Sequence, residues 1–295
     1  MSSPAVALLR TYLEQKAHHG TRFIALRPAA REALATLGKA RPASRAAGSP
    51  EPSPHALAAV QAPAKSSAIP SASSSTGLTL TGATKEEQLM NLMAQAETWQ
   101  PARSLGTFRD RMVFAVGNPD ARIMFVGEAP GADEERQGEP FVGPAGQRLT
   151  KIIQAMGIRR DEVYISNICK YRPAMENQRT GNRPPTPEEM HACLPFILAE
   201  IEIVKPEIIV ALGATASTGL GIEGAVGKNR GRLHQVKSVP VIVTYHPSYI
   251  LHQEGQAADK GLGAKRSVWE DMLAVMEHLG LPISAKQRGY FQSAG

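Results

Sequence analysis

Four short stretches, IMFVG at 123–127, VYISN at 163–167, EIIVALG at 207–213 and PVIVTY at 240–245, are nearly continuous apolar runs. A strand with one wet face alternates apolar and polar residues, so unbroken runs belong to strands covered on both sides. Strand candidates are therefore 123–127, 163–167, 207–212 and 239–244, and helical spacing fills the stretches at 84–98, 146–156, 187–204, 214–220 and 266–279. Strands separated by helices require right-handed crossovers and a mainly parallel sheet. The expectation is one three-layer α/β/α domain over 84–282, with a mainly parallel four-stranded central sheet, followed by a C-terminal tail at 283–295.

Open α/β sheets bind ligands at the carboxyl ends of their strands. Here the first strand runs into Glu128, the second into Asn167, the third into Gly213, and the fourth into Tyr245 and His246. In a parallel sheet these ends lie along one edge, so Glu128, Glu134, Asn167 and His246 are expected to line one pocket. The segment GEAPGADEERQGEPFVGPAG at 127–146 joins the first strand to a helix with five glycines and three prolines. Long loops with ordering residues of their own tend to be functional. The stretch TPEE at 186–189 matches a capping box with proline at the first helical position.

Composition matters chiefly for where the charge falls. Residues 1–80 hold nine Lys and Arg against three acids, which is the whole net charge of +6, while the remaining residues hold 24 of each sign. Residues 40–80 are mostly Ala, Pro and Ser, too poor in bulky apolar side chains to offset the entropy of ordering. We therefore read 1–80 as a basic, mostly disordered tail and linker, with an amphipathic helix candidate at 3–18; such a tail is suited to DNA or to a repair protein. That helix is too polar and interrupted for a membrane span or signal peptide, so the expected location is the cytoplasm. Basic clusters in the folded part are Lys170, Arg172, Arg179 and Arg183, then Lys228, Arg230 and Arg232.

Common cofactor signatures are missing. The loop at 127–146 has no GxGxxG, and GIEGAVGKN at 221–229 departs from the P-loop pattern at Ile222 and Asn229. His191 and Cys193 lack the second cysteine pair of a zinc deaminase. Two cysteines, Cys169 and Cys193, cannot supply four thiolates to an iron–sulfur cluster or a Cys-only zinc site. No metal site is expected.

Taken in order, GNPDARIMFVGEAPG (117–131), GEPFVGPAGQ (138–147), YISNICKYRP (164–173), NRPPTPEE (182–189), EIIVALG (207–213), RGR (230–232) and TYHPSYIL (244–251) resemble the uracil-DNA glycosylase superfamily, most closely family 4. The resemblance implies hydrolysis of the N-glycosidic bond of a uracil extruded from single- or double-stranded DNA. It implies that Phe141 stacks on the base beside Gly127 and Ala129, that Asn167 reads the base edge, and that His246 faces the carbonyl where charge gathers. Glu128 and Glu134 match acidic positions implicated in catalysis. Tyr249, Ile250 or Leu251 would fill the gap left by the base, with Lys170, Arg172, Arg183, Arg230, Arg232 and Ser248 on the DNA.

Two departures accompany it. Family 4 carries four cysteines on a [4Fe–4S] cluster, whereas here Trp99, Ala102 and Tyr171 stand at three of those positions and only Cys193 matches. The expectation is a cluster-free protein, with packing by Trp99 and Tyr171 in the cluster's place. The loop at 173–182 is also longer. A monomer suffices for this chemistry. Rival readings are a binder of uracil-containing DNA that does not cleave, a glycosylase of altered base choice, a recruiting protein, or a small-molecule enzyme on a similar sheet.

Overall fold

A computed structural model describes residues 77–256 and 259–292. The helix candidate at 3–18 and nearly all of the linker lie outside them. In chain order the elements are α1 (Lys85–Glu97), α2 (Gln100–Arg103), β1 (Phe108–Met112), β2 (Ala115–Gly117), β3 (Ile123–Gly127), α3 (Ala132–Gln137), α4 (Pro144–Ala155), β4 (Tyr164–Asn167), β5 (Tyr171–Pro173), α5 (Pro187–Val204), β6 (Ile208–Leu212), α6 (Gly213–Gly219), α7 (Val226–Asn229), β7 (Leu233–Val236), β8 (Val239–Thr244), α8 (Pro247–Gln256), α9 (Leu262–His278) and α10 (Ala285–Arg288).

The four expected strands form the parallel centre of the sheet, in the order β4-β3-β6-β8. The sheet nonetheless has six strands rather than four, because β2 and β7 add antiparallel edges. These edges are short and largely wet, so they lack the apolar run that marks the centre. A separate two-stranded ribbon pairs β1 with β5.

Alternate residues of the central strands feed two cores. Met124, Val126, Ile209, Ala211, Val241 and Val243 pack on one face with α1 and α5, while Ile123, Phe125, Ile165, Val210 and Ile242 pack on the other with α4 and α9. Every residue of β3 and β6 is buried, as the unbroken apolar runs require. The capping box forms as expected, with Thr186 Oγ1 accepting from Glu189 N–H at 3.2 Å and Glu189 accepting from Thr186 N–H at 2.7 Å.

Residues 283–292, set apart above as a tail, are anchored: Trp269 Nε1 donates to Gln287 O at 2.6 Å and Gln287 Nε2 to Ala155 O at 2.9 Å. Among the described residues no helix is long and apolar enough to cross a membrane.

Candidate active site

Parallel register brings the useful strand ends together. Gly127 pairs with Asn167, and Leu212 with Thr244, so the chains leaving β3, β4, β6 and β8 emerge along one edge. There a cavity of about 320 Å³ is lined by Glu128, Ala129, Glu134, Phe141, Asn167 and His246, together with Asn182, Arg183, Thr215 and Ser248. Every residue expected to bind the base or act on it is present in that wall except Gly127, which lies behind it. An added Cβ at Gly127 would stand 2.3 Å from Asn167 Oδ1 and 2.4 Å from Phe141 Cζ. Only glycine leaves room for the two side chains.

The loop is held by Glu134. One carboxylate oxygen accepts from the backbone of Val142 at 3.0 Å and Gly143 at 2.9 Å, and the other from Gly131 at 3.2 Å. These bonds keep Phe141 at φ 55°, in the left-handed region, with the residue 6% exposed. Backbone strain of this kind persists where the surroundings over-determine it, commonly at functional sites. Gly146 lets the loop return so closely that an added Cβ there would meet the Phe141 carbonyl at 1.9 Å. Glu134, expected as a catalytic acid, thus has its oxygens occupied in shaping the loop.

Glu128 differs. Thr215 Oγ1 donates a short hydrogen bond to its Oε2, and Oε1 has no protein hydrogen bond among the described residues. Thr215 and Asn182 were missed in the sequence reading. Thr215 sits two residues past the strand-end Gly213, and Asn182 opens the quoted NRPPTPEE segment, so position alone could have marked both.

Asn167 is 1% exposed, and its Oδ1 has no protein partner although it lines the cavity. Buried polar atoms are nearly always paired, so one without a protein partner at a cavity wall is placed to accept from whatever occupies the cavity. Across from it, the His246 ring lies 5.7 Å from that of Phe141. His246 Nδ1 accepts from Ser248 N–H at 3.2 Å and sits 2.7 Å from Ser248 Oγ. The ring keeps a wet rim but is otherwise walled in by protein, and this desolvation lowers its pKa to about 4. It is therefore neutral near pH 7, and because Nδ1 is an acceptor the proton resides on Nε2.

Several expected DNA contacts are corrected. Lys170 is fully buried, paired with Glu200 of α5. Arg172 is buried too: it pairs with Glu135 at 2.7 Å and donates to Arg179 O at 3.0 Å and Gly181 O at 2.8 Å, tying down the long loop. Burial pushes the Glu135 carboxyl up, but Arg172 and Arg109 outweigh it and hold the group below its ordinary range. Arg183 lines the cavity but clamps Glu189 through both terminal guanidinium nitrogens, at 2.7 and 2.6 Å. Arg230 is committed to Asp271 at 3.1 Å. Ile250 is 2% exposed and cannot act as a wedge. HPSYIL starts α8, and that helix turns Ile250 inward while Ser248 and Tyr249 face out. Arg232 and Lys228 are exposed, and Leu251 is half-buried.

The positions matching family cluster ligands also meet. Ala102, Tyr171 and Cys193 share one apolar cluster, with Trp99 packed against it. Tyr171 donates to Ala96 O at 2.6 Å, and Trp99 donates to Ala192 O at 2.8 Å with its ring edge-on to Phe196 at 5.2 Å. The thiols at hand are Cys169 and Cys193, both buried. Four thiolates are required for a cluster of this kind, so these residues do not fit one.

A three-layer α/β/α frame carries an aromatic ring, an unpaired carboxamide, a carboxylate and a neutral imidazole at its strand-end edge, a set of groups able to hold and read a flat polar ring. The family model for the uracil DNA glycosylase superfamily matches residues 114–273. A type-4 uracil-DNA glycosylase of Thermotoga maritima is 45% identical over 168 residues, covering 56% of this chain and 84% of the relative. One from Archaeoglobus fulgidus is 41% identical over 147 residues, covering 47% and 71%. A DNA polymerase of Bacillus phage SP01 is 33% identical over 151 residues, covering 51% of this chain and 16% of its own. The chain belongs to the uracil-DNA glycosylase superfamily.

Proposed function

We infer that the chain is a uracil-DNA glycosylase, a DNA-repair hydrolase that takes uracil out of the DNA stack and cleaves its N-glycosidic bond, leaving an abasic site. The observation that carries this is the buried, unpaired Asn167 Oδ1 in a cavity walled by Phe141 and His246. Uracil offers N3–H and O4 along one edge, matching a carboxamide's acceptor and donor; cytosine offers the reverse pattern in the same places. Asn167 reads that edge while Phe141 stacks on the ring. His246, neutral with its proton on Nε2, donates to the carbonyl oxygen on which charge gathers as the base leaves as an anion. Such a donor acts without carrying a charge of its own into the ground state.

Glu128 faces the sugar side, where a carboxylate stabilises positive charge on the ribose ring or orients the attacking water. Its orientation by Thr215 favours it over Glu134 for this work. On the surface, Arg232 and Lys228 are free to meet DNA, while exposed Ser248 is held to His246 at the cavity mouth. Tyr249, 39% exposed and stacked on Tyr245 at 4.6 Å, is the candidate to fill the gap left by the base. The enzyme works without an iron–sulfur cluster and as a monomer on single- or double-stranded DNA. Its basic N-terminal tail serves DNA or a repair protein.

The test is alkaline scission of an end-labelled oligonucleotide containing one uracil, using wild type, Asn167→Ala and His246→Ala. Uracil-dependent scission that falls in both variants supports the assignment. Well-folded wild type that leaves the strand intact overturns it.

A further inference from the structure

Lys170 has a use that its position in a basic cluster conceals. Its chain folds back along the end of β4, where Nζ donates to Ser166 Oγ at 2.6 Å and to the backbone carbonyl of Asn167 at 3.0 Å. The third contact of the ammonium is the Glu200 carboxylate, and the Phe114 ring lies 5.2 Å away. An ammonium has three donors, and all three are spent within this buried cage. Glu200 depends on the arrangement in turn. Burial pushes its pKa up, against the pull of Lys170 and, more weakly, of the neighbouring Ser166 and Tyr164 hydroxyls.

Replacing a buried ion pair with apolar side chains of similar volume is often neutral or stabilising, so burial of this one calls for a reason other than stability. The neighbouring geometry supplies it. Asn167 must present its carboxamide in one orientation, yet Oδ1 has no protein partner to aim it. Its backbone is where the aim is set. On the β3 side, Ile168 N–H donates to Gly127 O and Cys169 N–H to Glu128 O, both at 3.0 Å. On the side away from the cavity, the Asn167 carbonyl is held by Lys170.

We propose that the Lys170–Glu200 pair is a positioning device for base recognition, fixing the Asn167 backbone so that its carboxamide meets the uracil edge in register. The proposal rests on the uracil-glycosylase reading. Lys170 and Glu200 are positioning residues; neither touches the base.

The experiment is a cycle in single-turnover uracil release. Lys170→Met with Glu200→Met removes both charges together and keeps the volume. The expected result is a folded protein that releases uracil about tenfold or more slowly, since misplacement on the ångström scale is enough to cost such factors. In an Asn167→Ala background the same pair of substitutions should change the rate by less than about twofold, because the residue they aim is gone. Ser166→Ala, which removes one anchor of Nζ and leaves the pair, should show the same pattern at smaller size and decides the matter if the double variant does not fold. Release at the wild-type rate, or an equal loss in both backgrounds, overturns the proposal. Absence of release by wild type instead refutes the uracil-glycosylase reading, so the two failures are distinguishable.

Discussion

Gly127→Ala tests the geometry of the pocket at its tightest point. The added methyl would sit 2.4 and 2.7 Å from Phe141 ring carbons and 2.3 Å from Asn167 Oδ1. Carbon atoms attract best at about 3.5–4.0 Å, so the ring must recede by about 1 Å, and the carboxamide must shift by a comparable amount. Neither neighbour is a flexible chain end: Phe141 is 6% and Asn167 1% exposed. Overpacking of this kind costs about 1–3 kcal/mol of stability, and about 1 Å of misplacement at a reacting centre can cost on the order of 100-fold in rate. The expected outcome is single-turnover uracil release slowed on the order of 100-fold, with binding of an abasic-site duplex nearly unchanged. Gly181→Ala, where an added Cβ meets nothing within 4 Å, is the control. A Gly127→Ala enzyme within about threefold of wild type would show that Phe141 and Asn167 are not held as described, since the expected factor is so much larger.

Further outcomes follow from individual contacts. With the His246 pKa lowered to about 4, the rate should show no limb from this residue between about pH 5 and 8, and a limb near 6.5 that vanishes in His246→Gln would contradict the neutral ring. The same shift acts on stability: the unfolded chain takes up a proton near the ordinary histidine value of about 6.5 while the folded one resists to about 4, so stability from this group falls as pH drops across that window and is flat above it. Denaturant midpoints of wild type and His246→Gln at several pH values check the sign. Glu134→Ala removes the acceptor of three backbone N–H groups and should cost about 1.5–3 kcal/mol per charged bond at most. Trypsin should then cut faster at the exposed Arg136, and unchanged cleavage would count against a loop held by Glu134. Tyr171→Phe strips a 2.6 Å hydrogen bond from the Ala96 carbonyl and should lower stability by about 1–3 kcal/mol, read by thermal melting, while uracil release at 25 °C stays near wild type. Purified protein reconstituted with iron and sulfide should hold neither in stoichiometric amount, and a bound cluster would overturn the cluster-free reading.

Much of the architecture was legible because its signals are local. The unbroken apolar runs located the four parallel strands nearly to the residue, and TPEE marked the start of α5. The strand ends also named Glu128, Asn167 and His246 as neighbours, since in a parallel sheet the carboxyl ends share an edge. Edge strands β2 and β7 were not visible, being short and half-wet, and α8 was not among the helical stretches read from the sequence, because proline after His246 permits either a turn or a first helical residue.

What only the tertiary structure decided is which charges are free. Lys170, Arg172, Arg183 and Arg230 look like phosphate ligands in the sequence, yet each is claimed by an acid on another element: Glu200, Glu135, Glu189 and Asp271. Glu128 and Glu134, six residues apart, are likewise separated into an acid with an unclaimed oxygen and a loop brace by which backbone amides reach them. Periodicity is written into neighbouring residues and survives in one dimension. The partner of an ion is chosen by packing between segments often dozens of residues apart, so the sequence specified the inventory of chemical groups and the strand edge that gathers them, while the fold alone determined which groups remain available to a base and its DNA.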